Sequence, residues 1–257
     1  MPEVSVITSV YNGEAYLDEC VQSILNQTFQ EFEFIMLNNG STDRTPEILE
    51  QYTDSRIRVI HQENLGIPRS LNKGIELSRS DLIARLDADD FSSPHRLERQ
   101  VHYMKQNPGT VLCGSRFQRL LGKDSFPQKI PFVENDRAIR KIISCFNPFA
   151  HSTVIFRKNA FLKIGGYNNR FKFSQDYELW VRMLQLGEAR VLKDVLTVIR
   201  ETKQSISNQN STMLNLEGLR VRWNALCQFG GDPAKILYYF LKSVAGLIFP
   251  FQDRFRR

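Results

Sequence analysis

Cysteine is scarce and scattered. The 257 residues hold four, Cys20, Cys113, Cys145 and Cys227. None stands in C-x-x-C or Cys/His ligand spacing, which argues against a zinc module and a disulfide scaffold, so a reducing compartment is expected. No apolar run reaches the length of a spanning helix. Met1-Pro2-Glu3 leads straight into Val4-Ser5-Val6-Ile7, so no signal peptide is expected there. Internal repeats and low-complexity linkers are missing. Excess charge is also small, with 34 basic against 28 acidic residues and a net +6. Much of it is local. Residues 233–257 carry Lys235, Lys242, Arg254, Arg256 and Arg257 against Asp253 alone. The rest is close to neutral, so a general nucleic-acid-binding surface is not expected.

What is present reads as an ordinary globular chain, 42% hydrophobic and 24% charged. That excludes wholesale disorder, collagen and coiled coil. Short apolar runs alternate with helical periodicity. Val4–Val10, Phe32–Leu37, Ile57–Ile60 and Leu82–Leu86 read as strands. Between them lie helices marked by Leu17, Val21 and Ile24, by a start near Ser41 or Thr42, and by Leu71 and Ile75. A further helix is expected from Ser93-Pro94, with Leu97, Val101 and Met104 on one face. This rhythm predicts an α/β fold with a mostly parallel sheet covered on both faces.

The second half is less regular. Strands are expected at Val111–Gly114, Thr153–Phe156 and within Val191–Ile199, a loop or hairpin over 118–135, and helices at Asp176–Leu186 and 211–229. Ile236, Phe240, Val244, Leu247, Ile248 and Phe251 share one face of a last helix. With its basic neighbours, that tail reads as an amphipathic segment for a membrane surface, or as a final helix packed on the core.

Ligands in such sheets bind beyond the carboxyl ends of the strands. Three polar clusters fall there: Ser9 to Asn12, Asn38 to Asp43, and Asp87 to Asp90. Asp87-Ala88-Asp89 follows a run that should be buried. Two carboxylates so placed can hold a divalent cation, magnesium or manganese, which commonly adds substrate phosphates to its shell. The same residues would also make a solvated acidic turn. Asn38-Asn39-Gly40-Ser41 can read a nucleobase edge or simply form a turn. Asn64, Gly66, Arg69 and Asn72 are candidates for a ribose or phosphate, Arg69 being equally readable as a surface cation. Asp176 stands where it can cap a helix.

Several of these segments in order resemble the family two glycosyltransferases. They are Val4 to Gly13, Ser23-Ile24-Leu25-Asn26-Gln27-Thr28, Asn39-Gly40-Ser41-Thr42-Asp43, Leu86-Asp87-Ala88-Asp89-Asp90, His151 to Arg157, Gly165-Gly166-Tyr167, and Asp176-Tyr177-Glu178-Leu179-Trp180. The resemblance covers about residues 3–207. It implies a GT-A fold, Rossmann-like, with a nucleotide-binding half over about 1–115 and an acceptor half over about 116–207. Residues 208–257 are expected to form a C-terminal helical region with the amphipathic tail.

The resemblance also implies an inverting transfer from a nucleotide-diphosphate sugar, first of all a UDP-sugar. The acceptor is a saccharide or lipid-linked molecule in cell-surface polysaccharide synthesis. The transferred group is a hexose or hexosamine. A cytoplasmic location, peripheral at the inner face of the membrane, is expected, and the amphipathic tail is consistent with it. Ser9 and Tyr11 would cradle the nucleoside, with Asn39 and Arg69 on the nucleotide. Asp87, Ala88 and Asp89 form the D-x-D motif, Asp89 being the more direct metal ligand and Asp87 the second. Asp176 would be the general base. His151 and Lys203 fall in the acceptor or phosphate region.

Three departures stand out. Asn38-Asn39 replaces Asp-Asp, and an amide can donate as well as accept. Gln175 replaces an acid beside Asp176. Thr202 stands where a metal-assisting His is common. A Gln-x-x-Arg-Trp motif is absent, which argues against a processive synthase. Two rivals remain. A nucleotidyltransferase would want a glycine- and lysine-rich loop that Ser9–Gly13 lacks. A non-catalytic nucleotide- or sugar-binding module of the same fold would tolerate the departures.

Overall fold

The computed structural model describes residues 1–202 and 211–248. The chain opens as β1 (Val4–Val10), α1 (Leu17–Leu25), β2 (Phe32–Asn39), α2 (Thr45–Glu50), β3 (Ile57–Gln62), α3 (Ile67–Glu76) and β4 (Leu82–Arg85). The short β5 (Phe91–Ser92) precedes α4 (Arg96–Gln106), and β6 (Thr110–Leu121) turns into β7 (Asp124–Pro127). Then come α5 (Asp136–Ile142), a 3-10 turn (His151–Thr153), β8 (Ile155–Arg157), α6 (Lys158–Lys163), α7 (Gln175–Met183) and β9 (Glu188–Arg200). Two helices, α8 (Ser211–Phe229) and α9 (Pro233–Ile248), follow.

The described strands form one sheet in the order β3-β2-β1-β4-β8-β6-β9-β5, with β7 paired to β6. β3, β2, β1 and β4 run parallel, as expected of strands separated by helices. β8 is antiparallel to both β4 and β6, and β6 and β9 are parallel.

Alternation sorts the side chains onto two faces. Val4, Val6, Phe34 and Met36 join Leu17, Val21 and Ile24 of α1 and Leu97, Val101 and Met104 of α4 in one core. Ile7, Ile35 and Leu37 join Leu71 and Ile75 of α3, Trp180 of α7, and Val221 and Ala225 of α8 in the other. All eight residues of β2 are buried, as a central parallel strand requires.

Several boundaries differ from the sequence expectation, each for a local reason. The helix after β2 begins at Thr45 rather than near Ser41, because Ser41 and Thr42 bond the Asn12 loop instead of capping it. Ser92 is drawn into strand pairing with Thr197, so the next helix waits until Arg96. β6 runs to Leu121, continuing through the hairpin with β7. Val191–Ile199 is part of a single long strand, held along β6 through register shifts. Helices α5 and α6 carried too little periodicity to be read beforehand.

The last helix also differs. Ile236, Tyr239 and Ser243 turn inward, while Leu237, Tyr238, Phe240 and Leu241 are exposed. It is apolar on more than the face expected. No described helix is long and apolar enough to cross a membrane.

Candidate functional site

The carboxyl ends of β1, β2 and β4 open side by side, and the loops that leave them are clasped together. Asn12, at φ 53°, accepts from Thr42 N–H at 2.8 Å through its side-chain oxygen, while its own N–H donates to Ser41 Oγ at 3.0 Å. Gly13 N–H donates to Thr45 Oγ1 at 2.8 Å. Gly40 sits at φ 78°, and a Cβ there would lie 2.8 Å from the Asn64 nitrogen, so only glycine lets the loop after β2 pack on the loop after β3.

The expected nucleoside residues line this edge. Tyr11 is exposed, and Ser9 Oγ donates to Ser70 Oγ at 3.0 Å. Arg69 is exposed in the first turn of α3 and pairs with no described carboxylate. Asn39 is buried and occupied. Its Oδ1 accepts from Leu65 N–H at 2.9 Å and from Gln62 Nε2 at 3.0 Å, and its Nδ2 donates to Asn64 Oδ1 at 3.3 Å. A backbone N–H can only donate, so the Leu65 bond fixes which way this amide points. Asn72, a ribose or phosphate candidate by sequence, exchanges two hydrogen bonds with the Tyr167 backbone and clamps that turn.

Beyond β4 the chain forms an acidic loop over a buried base of arginines. Arg85 is fully buried and ion-pairs with Asp87 while donating to the carbonyls of Ile7 and Leu86. Ser152 Oγ donates to Asp87 Oδ2 at 3.0 Å. Burial is the largest influence and works to raise the Asp87 carboxyl, but the Arg85 charge together with the hydrogen bonds from Ser152 and Arg85 holds the group below its usual range.

Asp89 differs. No other described residue donates a hydrogen bond to its carboxylate, and burial together with the Asp87 charge pushes it up to about 6. Burial and the Asp89 and Asp87 charges also raise Asp90 well above its usual range, although its Oδ1 accepts from Arg200 N–H at 2.8 Å. Ala88 lies between them, half-buried and facing Gly13.

Beneath the loop, Arg96 is fully buried and donates to the Arg85 and Val154 carbonyls, to Ser92 Oγ and to Gln100 Oε1. Burial brings its guanidinium down to about 9. The two arginines form a cationic floor that fixes the loop's shape.

His151 sits beside Asp87. Arg85 Nε donates to its Nε2 at 3.2 Å, so that nitrogen is the acceptor and Nδ1, 3.8 Å from Asp87 Oδ2, carries the proton. Burial, and after it the Arg85 charge, brings the imidazole down to about 3, so it is neutral near pH 7. Lys203 lies outside the described residues. β9 ends against the acidic loop, where Arg200 Nε donates to the Asp89 carbonyl at 3.1 Å.

Asp176 occupies the first turn of α7 rather than its cap, which is Ser174. Burial pushes its carboxyl up to about 6, and the Asp87 charge adds to the rise. That influence sets the base candidate and the acidic loop in one electrostatic field, although they stand 89 positions apart in the sequence. Asn147 Nδ2 donates to Asp176 Oδ2 at 3.0 Å.

Four residues here escaped the sequence reading. Asn147, and the buried α8 carboxylate of Glu217, which accepts from the backbone N–H groups of Lys172, Phe173 and Ser174 just before α7, had no local signal, because each acts across a long sequence separation. Arg85 did have one, a charge inside the apolar run Leu82 to Leu86. Ser152 lay within the quoted His151 to Arg157 segment.

Residues 5–169 match the family described as Glycosyl transferase family 2. The amylovoran biosynthesis glycosyltransferase AmsE of Erwinia amylovora is 30% identical over 253 residues, 95% of this chain and 94% of that protein. The O-antigen biosynthesis glycosyltransferase WbnJ of Escherichia coli is 36% identical over 184 residues, 70% of this chain and 71% of that one. Among solved structures, S. aureus TarS 1–349 in complex with UDP-GlcNAc superposes with a TM-score of 0.72 at 18% identity, covering 97% of this chain and 73% of that one. The mannosyltransferase PcManGT from Pyrobaculum calidifontis, in complex with GDP-Man and Mn2+, gives 0.66 at 18% identity, over 96% and 70%. The curled, mostly parallel sheet is thus a GT-A fold. The chain belongs to glycosyl transferase family 2 and is a glycosyltransferase.

Proposed function

We propose that this enzyme moves a hexose or hexosamine from a nucleotide-diphosphate donor to a saccharide or lipid-linked acceptor, with inversion. The setting is cell-surface polysaccharide synthesis at the inner face of the cytoplasmic membrane. The observation that carries the reading is the placement of α7, which bears Asp176, against the acidic loop at the parallel strand ends: the α7 residue Trp180 has its ring 6.2 Å from that of His151, whose Nδ1 lies 3.8 Å from Asp87 Oδ2. The names of AmsE and WbnJ support the polysaccharide setting. The complexes of TarS and PcManGT support a nucleotide-sugar donor.

Inversion in one displacement needs no protein nucleophile. The acceptor hydroxyl attacks the anomeric carbon from the face opposite the departing diphosphate, and Asp176 takes the hydroxyl proton. A carboxylate at about 6 is mostly ionised near pH 7 and still basic enough to accept it. Ser9, Tyr11, Asn39 and Arg69 hold the nucleotide. Asp87, tied to Arg85 and Ser152, gives the loop its shape.

Asp89 suits a divalent cation, because burial and the Asp87 charge raise its carboxylate, the Arg200 charge offsets that only in part, and no other described residue donates a hydrogen bond to it. When bound, manganese or magnesium supplies positive charge to the diphosphate as it leaves. Asp89 would be the direct ligand and Asp87 the second. His151 is neutral and sits behind Asp87, where it supports the loop. Lys203 is proposed for the phosphates.

The test pairs donor binding with turnover. Asp176→Asn should bind nucleotide-sugar as the parent does and lose about 10²–10⁴-fold in transfer. Near-normal turnover would remove Asp176 as the base. Donor binding without turnover in the parent protein, across a broad acceptor panel, would favour the non-catalytic module instead.

A further inference from the structure

The α8–α9 hairpin shows solvent more apolar surface than its packing explains. Helix α9 rests on α8 through Arg222, which bonds Ser243, while Tyr239 packs against Phe146 with ring centroids 5.3 Å apart. Its other side exposes Leu237, Tyr238, Phe240 and Leu241 by 50–60% each. A helix apolar on more than one face belongs in a core or under a cover, and the described residues cover only one side of this one. Helix α8 adds a second exposed line. Met213, Leu216, Arg220 and Trp223 recur at helical spacing, and Trp223 is 67% exposed.

We infer that this outward surface docks on an anionic lipid bilayer. It extends the membrane-face location given above by naming the contacting residues. Three features select this occupant. By sequence, residues 233–257 carry five basic residues against one acid, three of the five lying outside the described residues, and Arg220 on α8 and Lys235 on α9 are exposed. Basic groups around an apolar face are drawn to anionic headgroups, each contributing about 1 kcal/mol near the surface. The aromatic members, Trp223 and Tyr238, are the types that settle at a headgroup boundary, with an apolar ring and a polar atom. A second copy of the chain would bring the same positive charge against itself, so self-association on this face is opposed.

The protein carries its own probe. It has two tryptophans, Trp180 fully buried and Trp223 exposed, so a change in emission on vesicle addition reports Trp223. The measurement is made on the full chain with no donor or acceptor present, so failure here leaves the transfer reading untouched. Vesicles of phosphatidylcholine with phosphatidylglycerol should blue-shift the emission and carry the protein into the pellet. Pure phosphatidylcholine should bind at least about tenfold less, the expected worth of one or two lost headgroup attractions.

The variant L237S/F240S/L241S should lose about tenfold or more of vesicle binding while keeping the parent's far-ultraviolet circular dichroism. If that variant fails to fold, the Trp223 shift in the unaltered protein decides the matter alone. Unchanged emission with anionic vesicles would overturn the proposal. So would full binding by the folded variant, or a dimer in light scattering that the variant abolishes.

Discussion

Asn147 donates through Nδ2 to Asp176 Oδ2 at 3.0 Å, and its own Oδ1 is held by Phe149 N–H at 3.1 Å. The second bond settles the first. A backbone N–H cannot accept, so the amide must turn its NH2 toward the carboxylate. Asn147 is therefore a positioning residue that favours the ionised form of Asp176.

Removing that donor should show in the pH profile. Asn147→Ala takes away a hydrogen bond to the carboxylate, so the Asp176 pKa rises above about 6. The acid limb of kcat should move up in pH, and the loss should be larger at about pH 6 than at about pH 8. An unshifted profile with a uniformly lower rate would mean that Asn147 serves packing alone.

Asp176 should also cost the fold stability. Its folded pKa is raised from 3.8 to about 6, so the unfolded chain ionises more readily. The penalty is absent below the unfolded value, grows as pH rises from 3.8 toward about 6, and is complete above it. Asp176→Asn should accordingly raise Tm at about pH 8 and change it little at about pH 3. Equal shifts at both would refute the electrostatic origin.

Asn39 bears on base choice. Its oxygen already holds Leu65 N–H and the Gln62 amide, so what remains for a ligand is an N–H. The N3–H of uracil is itself a donor and finds no acceptor in this amide. Asn39→Asp adds acceptor capacity at nearly the same size, while giving up the donation to Asn64 Oδ1. UDP affinity, by calorimetry, should rise about tenfold, as one charge-assisted hydrogen bond allows. Unaltered UDP affinity would place the base elsewhere.

The Asp89 carboxylate should govern cation binding. A divalent cation bound there offsets the burial and the mutual repulsion that raise Asp89 and Asp90, so manganese alone should raise Tm. The rise should shrink as pH falls through about 6, where protons compete, and should vanish in Asp89→Ala. A manganese-induced rise that survives in Asp89→Ala would move the site.

The sheet and its edge were legible because they are written locally. Val4–Val10 and Phe32–Leu37 are buried runs, and the polar clusters that end them fall at one edge of a parallel sheet whatever the loops do. Asp87, Asp89 and Asp176 could be singled out by order and type. Their environments could not. Asp87 and Asp89 differ by two positions, yet one is ion-paired from below and the other is left open, a distinction made by Arg85, Ser152 and Arg200 from three separate elements. The Val191–Ile199 region was ambiguous because its strand has irregular register with β6, and irregular pairing blurs alternation.

Glu217 joins the helical hairpin to the candidate base. It is buried on α8, and its carboxylate accepts from the backbone N–H groups of Lys172 at 2.9 Å, Phe173 at 2.8 Å and Ser174 at 2.9 Å. Those three residues lead into α7, and Asp176 follows two positions after Ser174. A single carboxylate thereby fixes the path of the chain into the base, from an element that plays no part in the strand-end cluster. Glu217→Ala leaves three donors without their partner, with a loss of roughly 2–3 kcal/mol of stability. Its kinetic consequence should be selective. The loops after β1, β2 and β4 are braced by their own bonds, so donor affinity should stay within about twofold while transfer falls about tenfold or more, as displacement of a catalytic group implies. Glu217→Gln keeps one oxygen acceptor and the side-chain length, and should recover part of both losses. Parallel loss of donor affinity and turnover would instead show that α8 supports the whole domain rather than the placement of Asp176.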